Sequence, residues 1–345
     1  MRRALVIKTG TFSGMVHCLS AVAEARQLLP DLRVDWVSEE RFRVIPILSP
    51  AVDRVYSLGF DRWRSGFFSM QTWRDVLRAI APLKEQRYDL VIDAQGLLRS
   101  AWVGLQARVP QSQRWGFGSG SSSSSVGSML LDHQVQVPYG VHAVDRQRRL
   151  LSEALGYELG PRPVSGSLVA VGMMAEDFED LCRRIEQPPA QRPNWVVMLT
   201  GSGRGAKAWP DQSWIQLGRA LQVQGLLPLV PALGTMSRAR ASEIASACGG
   251  KVLPMLSLFD LAGIMQHARA VVGVDTGPTH WAAAMGQSTV ALLHASPFER
   301  FHVDWTLRGI TLGDDEIEVG QVLEALGELG VVDRSVLDSA AEKRS

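Results

Sequence analysis

Two polar stretches follow short apolar runs, at the kind of strand-to-helix turn that carries the working groups of many enzymes. The first is VVGVDTGPTHWAAAMG, residues 271–286, where a small-residue helix is expected to begin near Pro278. The backbone N–H groups at such a helix start bind diphosphates and other anions. The polar residues of this turn are Asp275, Thr276, Gly277 and His280. An isolated Asp-Thr-Gly is more often a plain helix cap, but the whole segment favours an anion-binding turn.

The second stretch is KTGTFSGMVH, residues 8–17, which follows the apolar run Ala4–Ile7. It offers the amine of Lys8, the hydroxyl of Thr9 and the imidazole of His17. It contains no carboxylate, so the turn lacks the residue type that most often serves as a general base beside histidine.

A glycine-rich stretch, TGSGRGAKAWP at residues 200–210, is a third candidate. Its glycines and Ser202 would let the backbone approach a phosphate, and Lys207 would supply positive charge. It is not a P-loop, because Ala206 and Ala208 flank the lysine, and its glycines do not have the G-x-G-x-x-G spacing of a dinucleotide site. A generic phosphate-binding loop and a plain glycine-rich turn remain as alternatives.

Two weaker stretches combine charged and aromatic residues. VIDAQGLLRS places Asp93 at a strand end and Arg99 on the next helix, and FDRWRSGFFSMQTWR interleaves Arg62 and Arg64 with tryptophan and phenylalanine. Basic and aromatic groups together suit a lipid head-group interface or an anionic acceptor. An amphipathic helix with its aromatic residues in the core explains the second stretch equally well.

The elements that position these residues alternate along the chain between strand-length apolar runs and amphipathic stretches. The runs that we expect to be strands are Ala4–Lys8, Arg33–Ser38, Leu90–Asp93, Trp195–Thr200, Leu227–Leu233, Val271–Asp275 and Thr289–His294. Such alternation predicts parallel strands joined by helices. ELGPRPVSGS, after Tyr157, indicates a connection between domains, and the alternation restarts at Trp195. We therefore predict an α/β fold with two domains, residues 1–160 and 161–345, and a ligand cleft between the carboxyl ends of their strands.

Length and composition limit the class of protein. A chain of 345 residues is long enough for two domains, and its net charge of +1 argues against nucleic-acid binding by the protein as a whole. Cys18, Cys182 and Cys248 lie too far apart to predict a zinc site or a disulfide framework. No D-x-D motif, signal-peptide core or membrane-spanning run occurs. We expect a cytoplasmic protein that binds no metal and no nucleic acid.

Taken together, these stretches resemble the bacterial ADP-heptose:lipopolysaccharide heptosyltransferases of glycosyltransferase family 9. The matching segments are collinear over most of the chain: VDWVSEERFRVIP, VIDAQGLLRS, HAVDRQRRLLSEALGY, KAWPDQSW, LPMLSL and VDTGPTHWAAAMG. The resemblance implies a GT-B fold, with two Rossmann-like domains facing each other across a cleft. It also implies inverting, metal-independent transfer of heptose from ADP-heptose, without a cofactor, to the Kdo residue of a lipid A inner core.

The same resemblance implies roles for individual residues. The donor side would comprise Ser202, Lys207, Leu256, Asp275, Thr276, Gly277 and His280. The acceptor side would comprise Lys8, Thr9, Arg62, Arg64, Arg99 and Arg146. A lipid A acceptor also implies that the protein works at the cytoplasmic face of the inner membrane, which makes a peripheral membrane contact an open alternative to a purely cytoplasmic location.

The sequence departs from the family at the polar working positions. The family turn reads roughly Lys-Thr-Ser-x-x-Gly-Asp-x-x-His, and its aspartate is the expected base, whereas this chain has Ser13-Gly14 there. Asp93 and His17 are the candidates for a replacement base, although a structural role is commoner for each. Other family residues are replaced at Ser123, Ser124, Ser125, Ser202, Gly203 and, in a loose alignment, Ser237.

Two hypotheses follow from this mixture of retained and lost residues. One is a divergent heptosyltransferase-like enzyme. The other is a catalytically impaired relative that binds an ADP-sugar or a partner protein and regulates or scaffolds envelope-polysaccharide assembly. A third, an NAD-dependent dehydrogenase, is disfavoured because no G-x-G-x-x-G follows a strand.

Overall fold

The computed structural model describes residues 2–66, 69–121, 125–161, 175–188, 193–201, 208–232, 237–294, 296–313 and 316–333. The chain divides into two compact units, Met1–Pro163 and Val164–Ser345. The limit expected from the sequence, between residues 160 and 161, lies just before this division. The family resemblance implies acceptor binding by the first domain and nucleotide-sugar binding by the second, and both roles stay predictions.

The first unit is built on a six-stranded sheet in which every neighbouring pair of strands is parallel. Its strands are β1 (Arg2–Ile7), β2 (Leu32–Glu39), β3 (Arg54–Leu58), β4 (Leu90–Asp93), β5 (Arg114–Phe117) and β6 (His133–Val135), in the order β3-β2-β1-β4-β5-β6. Its helices are α1 (Phe12–Leu28), α2 (Val44–Ile47), α3 (Phe60–Ser65), α4 (Met70–Glu85), α5 (Leu98–Gln106), α6 (Ser125–Ser128) and α7 (Ala143–Leu155), and Glu40–Phe42 form one 3-10 turn.

The second unit repeats this architecture with a second parallel, six-stranded sheet. Its strands are β7 (Trp195–Leu199), β8 (Leu227–Pro231), β9 (Lys251–Leu253), β10 (Ala270–Val274), β11 (Thr289–Leu292) and β12 (Gly309–Leu312), in the order β12-β11-β10-β7-β8-β9. Its helices are α8 (Ala175–Arg184), α9 (Asp211–Val223), α10 (Ser237–Cys248), α11 (Leu258–His267), α12 (Gly277–Ala284), α13 (Phe298–Phe301) and α14 (Val319–Glu328).

The strand order explains where each unit presents its functional residues. Strands that helices cover on both faces read as continuous apolar runs, and β7 and β10 are buried at every position. The order reverses between β1 and β4 in the first sheet and between β7 and β10 in the second. Ligands of open α/β sheets bind in the crevice at the carboxyl ends of the strands at such a reversal. In each unit, the turns that follow these two strands are therefore the expected place for functional residues.

A buried ion pair joins the two helices that flank the turn after β1. The guanidinium of Arg148, on α7, donates two hydrogen bonds of 2.7 and 2.6 Å to the carboxylate of Glu24, on α1. Both side chains are largely excluded from solvent, and removing Arg148 would leave the buried Glu24 carboxylate without this ion-pair partner, whereas Arg148 also pairs with Asp145 at 3.1 Å. The pair fixes α1 against α7 and so positions the residues at the start of α1.

None of the helices that the structure describes combines the length and apolar character needed to cross a membrane.

Candidate active site

The turn after β1 is shaped around the buried amine of Lys8. Only 8% of this residue is exposed, and its Nζ donates a 2.7 Å hydrogen bond to the carbonyl oxygen of Ala94, at the end of β4. Burial lowers the pKa of the Lys8 amine, and the nearby Arg146 guanidinium acts in the same direction. Cys18 and Asp93 oppose this shift. The site therefore holds an amine that gives up its proton more readily than an exposed lysine does.

Gly14 packs closely beside this amine. A Cβ atom at Gly14 would lie 3.9 Å from Lys8 Nζ and 3.4 Å from Lys8 Cε. It would also lie 2.7 Å from the hydroxyl of Thr11, which caps α1 by accepting a 3.2 Å hydrogen bond from the Gly14 N–H. A larger residue at position 14 would thus extend alongside the Lys8 amine, and the Thr11 hydroxyl would have to rotate away.

Asp93 uses its carboxylate to hold the turn after β4. Its Oδ1 accepts from the backbone N–H groups of Gln95 and Gly96 at 2.9 and 3.0 Å, and its Oδ2 accepts from the Ser100 hydroxyl at 2.9 Å. Burial raises the pKa of Asp93, and these hydrogen bonds oppose the shift. The Asp93 carboxylate therefore already accepts three hydrogen bonds from groups inside the protein.

Gln95 links the two turns of the first unit. Its Oε1 accepts hydrogen bonds of 3.2 and 2.8 Å from the backbone N–H groups of Thr9 and Gly10. The Thr9 hydroxyl oxygen is buried and forms no hydrogen bond with the described residues. Lys8, Thr9 and Gly14 are thus brought together in one turn that the β4 turn supports.

His17 lies farther inside the protein. The residue is buried, and the centre of its ring is 6.3 Å from that of His142, whose Nδ1 accepts from the backbone N–H of Val144 at the start of α7. His17 lies on α1 and packs against the start of α7, whereas Lys8 lies beside Gly14.

The four arginines predicted on the acceptor side fall into two groups. Arg146 is buried and donates to the carbonyl oxygens of Val137 and Pro138 at 2.8 and 2.7 Å, and also to that of Ser121. It therefore ties together the loops that follow β5 and β6. Arg62 and Arg64 lie instead on α3, and Arg99, on α5, lies over the ring of Phe60 on α3.

The arginines near α3 are exposed. Arg62 is paired with Glu40 and Asp75, at 3.1 Å each. The guanidinium of Arg99 lies over the ring of Phe60, 5.4 Å from its centre. Arg64 forms no ion pair with any residue that the structure describes. Arg64 and Arg99 are thus the members of this group whose charge is not neutralised by a carboxylate contact.

In the second unit, Asp275 organises the turn from β10 into α12. Its Oδ1 lies 2.9 Å from Nε2 of the buried His280, and its Oδ2 accepts a 2.5 Å hydrogen bond from the hydroxyl of Ser296. Thr276 is the residue that precedes α12, and no side-chain hydrogen bond caps this helix. Asp275 is therefore not a plain helix cap, and the first-turn N–H groups of α12 suit an anionic ligand.

Ser296 was not predicted from the sequence. It follows β11, and β11 is the neighbour of β10 in the sheet. The strand order needed to bring residues 275 and 296 together cannot be read from apolar runs alone. An HAS sequence after an apolar run, ending at residue 296, was the available signal.

Some predicted site residues lie elsewhere or outside the described residues. Leu256 follows β9 and is half-buried, on the turn that leads into α11. Ser202, Gly203 and Lys207 lie outside the described residues, as do Ser123 and Ser124. Ser125 and Ser237 are the first residues of α6 and α10. The donor-side grouping that the structure describes is Asp275, Thr276, Gly277 and His280.

Two α/β units, each built on a parallel six-stranded sheet, match the fold of the GT-B glycosyltransferases, as the resemblance implied. The chain belongs to glycosyltransferase family 9 (heptosyltransferase), whose family model matches residues 76–316.

Relatives of known name support this membership. The lipopolysaccharide heptosyltransferase 1 of Pseudomonas aeruginosa is 35% identical over 291 residues, which cover 84% of this chain and 78% of the relative. The protein of the same name from Escherichia coli K12 is 30% identical and covers 84% and 87%. The solved structure of E. coli heptosyltransferase WaaC with ADP is 26% identical, with a TM-score of 0.79, over 95% of this chain and 99% of that one.

Proposed function

We propose that the protein transfers heptose from ADP-heptose to a Kdo-lipid A acceptor, with inversion and without a metal ion or other cofactor. The observation that carries the donor assignment is the β10–α12 turn, where His280 and Ser296 hold the Asp275 carboxylate beside an uncapped helix start. Its relative WaaC has been solved with ADP and with ADP-2-deoxy-2-fluoro heptose, which supports the same donor class here.

The chemistry of the leaving group fits this turn. When the bond between the anomeric carbon and the diphosphate breaks, the electron pair and the growing negative charge go to ADP. A helix amino terminus stabilises such charge, and fixed N–H donors are most effective when they are positioned before the reaction. Lys207, which the sequence places in the glycine-rich stretch, is proposed as the counter-charge.

The donor assignment is tested at Asp275. We expect Asp275→Ala to weaken ADP binding by about tenfold or more, because a charge-assisted pair that fixes His280 and the turn is lost. Isothermal titration of ADP measures the effect. Asp304→Ala, an exposed aspartate in the same unit, is the matched control and should bind ADP like the unmodified protein. Equal affinity for the Asp275 variant and the control would refute this role of the turn.

For the acceptor side, we propose that the Lys8 amine takes the proton from the attacking hydroxyl. The hydroxyl oxygen forms the new bond to the anomeric carbon, its proton passes to neutral Lys8 Nζ, and ADP leaves. Lys8 fits this step better than Asp93 or His17, because its amine lies beside Gly14, the position where the family resemblance places the base. The carboxylate of Asp93 is engaged by three donors, and His17 lies between two helices.

A catalytically impaired relative that binds an ADP-sugar is the second candidate. It is favoured by Gly14, a residue without a side chain at the position where the family resemblance places the base. Under this alternative the β10–α12 turn still binds the donor, and the Lys8 amine is a structural group that bonds Ala94. Both candidate functions thus include binding of the ADP-sugar donor, and they differ in whether the protein transfers heptose to an acceptor.

We also propose that α4 mediates a peripheral contact with an anionic membrane. Met70, Trp73 and Leu77 follow one face of this helix and are 75%, 45% and 57% exposed. Exposed Arg74 and Arg78 adjoin this apolar stripe. An exposed apolar stripe bordered by arginines suits the boundary between lipid head groups and acyl chains.

The membrane contact predicts a specific loss. We expect the double variant Trp73→Ser and Leu77→Ser to bind vesicles of phosphatidylglycerol and phosphatidylcholine about tenfold more weakly in a sedimentation assay, since two large apolar side chains no longer insert. Val223→Ser removes an exposed apolar residue from the second unit and is the control. If all three proteins sediment alike, α4 is not the contact.

A further inference from the structure

The edge of the second sheet opposite the β10–α12 turn carries an unassigned basic cavity. Three polar residues lie at this edge, each directly before a strand: Arg269 before β10, Ser288 before β11 and Arg308 before β12. These three strands are neighbours in the sheet. They line a cavity of about 510 Å³ together with Gln266, His267 and Gln287, among others. A cavity of this size is large enough for a small ligand.

The two arginines of this cavity form no ion pair with an acidic residue in the part of the chain that the structure describes. Arg308 is oriented by Ser288, whose buried hydroxyl accepts a 3.0 Å hydrogen bond from Arg308 Nε and another from Nη2. Arg269 is half-buried and makes no ion pair or side-chain hydrogen bond with the described residues. Among the described residues that line the cavity, none is an aspartate or glutamate.

We infer that this cavity binds a phosphate-class anion. Both guanidinium groups line the same cavity, and no carboxylate is among its described lining residues, so an anion in the cavity would be attracted by both charges. Guanidinium groups match phosphate oxygens with paired N–H donors. A guanidinium held in place by a buried serine is oriented before the ligand arrives, so little further ordering is needed on binding.

The inference goes beyond the proposed transfer reaction, because this cavity is separate from the donor turn. The cavity lies before β10 and the Asp275 turn lies after it, so the five residues of the strand, about 15 Å in length, separate the two. An anion in the cavity would leave the donor turn free, and the two ligands could be bound together.

The source of the anion is either a soluble phosphate compound or the phosphate of a lipid head group. Hydrogen–deuterium exchange of the full chain separates these sources and localises the binding. One arm uses inorganic pyrophosphate. The other uses vesicles of phosphatidylglycerol and phosphatidylcholine, with pure phosphatidylcholine vesicles as the reference. Peptides covering residues 266–269, 286–289 and 306–309 report on the cavity, whereas peptides covering 275–280 report on the donor turn.

We expect slower exchange at the cavity peptides in at least one arm. The double variant Arg269→Gln and Arg308→Gln should raise the anion concentration needed for half-maximal protection by about tenfold or more. Ser288→Ala should raise it less, because both guanidinium groups remain. Arg219→Gln, an exposed arginine that bonds only the Ala247 carbonyl, is the matched control.

Protection of the cavity peptides by pyrophosphate identifies a soluble anion as the ligand. Protection by anionic vesicles alone identifies a lipid phosphate. Either result supports the site if the double variant no longer shows the protection. Unchanged exchange at the cavity peptides in both arms overturns the inference. Protection that the double variant retains also overturns it. A change confined to residues 275–280 reports the donor turn and likewise gives no support to the cavity.

Discussion

Lys8→Gln is expected to lower the rate of heptose transfer by about 10²- to 10⁴-fold, the usual effect of removing a general base. The amide of glutamine cannot accept the proton of the attacking hydroxyl. The ADP affinity should not change, because the β10–α12 turn belongs to the second unit. Initial rates with ADP-heptose, together with ADP titrations, measure both quantities.

Lys8→Arg separates proton transfer from charge. Arginine keeps a positive charge but does not lose its proton in proteins, so we expect it to be as inactive as glutamine. A variant that retains the native rate would mean that position 8 supplies only charge. Thermal unfolding of each variant checks that the loss of the Lys8–Ala94 hydrogen bond has not unfolded the first unit.

The lowered pKa of Lys8 sets the direction of the pH dependence. Only the neutral amine accepts a proton, so transfer by the unmodified protein should rise with pH through the pKa of Lys8, which burial holds below the ordinary value of 10.5. The protonated amine, which predominates at low pH, cannot accept a proton from the hydroxyl. A rate that falls over this range would exclude Lys8 as the base.

The second large effect is expected when Gly14→Asp is introduced into the Lys8→Gln protein. The new carboxylate would extend from a Cβ atom that lies 3.9 Å from the native Nζ position, and it would restore a base at the site. We expect the transfer rate to recover by about 10²- to 10⁴-fold. Because a carboxylate is already ionised near neutral pH, the restored rate should be nearly independent of pH there.

Gly14→Asn in the same background is the control, since it has nearly the same shape without a carboxylate. Both substitutions displace the Thr11 hydroxyl, so any disturbance of the α1 cap is common to the two. Equal rates for the aspartate and asparagine variants would show that a carboxylate at position 14 cannot act as a base in this protein.

Much of the fold could be predicted from apolar runs. The runs at Leu90–Asp93 and Trp195–Thr200 correspond to β4 and β7, and the helix expected near Pro278 begins at Gly277. The prediction of a two-domain α/β protein is confirmed. The strands β3, β5, β6, β9 and β12 were not predicted, because they are short or less completely buried and their sequences lack a continuous apolar run.

The site was less predictable, because its geometry depends on contacts between distant parts of the chain. The family resemblance implies that Gly14 replaces an aspartate, but burial of Lys8 against Ala94 depends on the pairing of β1 with β4. The aromatic stretch divides between its two interpretations: Trp63 packs in the core, whereas Trp73 is exposed. Phe67 and Phe68, in the same stretch, lie outside the described residues.

The most direct test is a mass-spectrometric transfer assay with ADP-heptose and Kdo-lipid A that compares the unmodified protein with Lys8→Arg. We expect heptosylated product from the unmodified protein and at least about 10²-fold less from the variant. Equal product from the two proteins would contradict the role of Lys8. No product from the unmodified protein, at any pH at which it stays folded, would contradict the proposed transfer and leave the catalytically impaired relative.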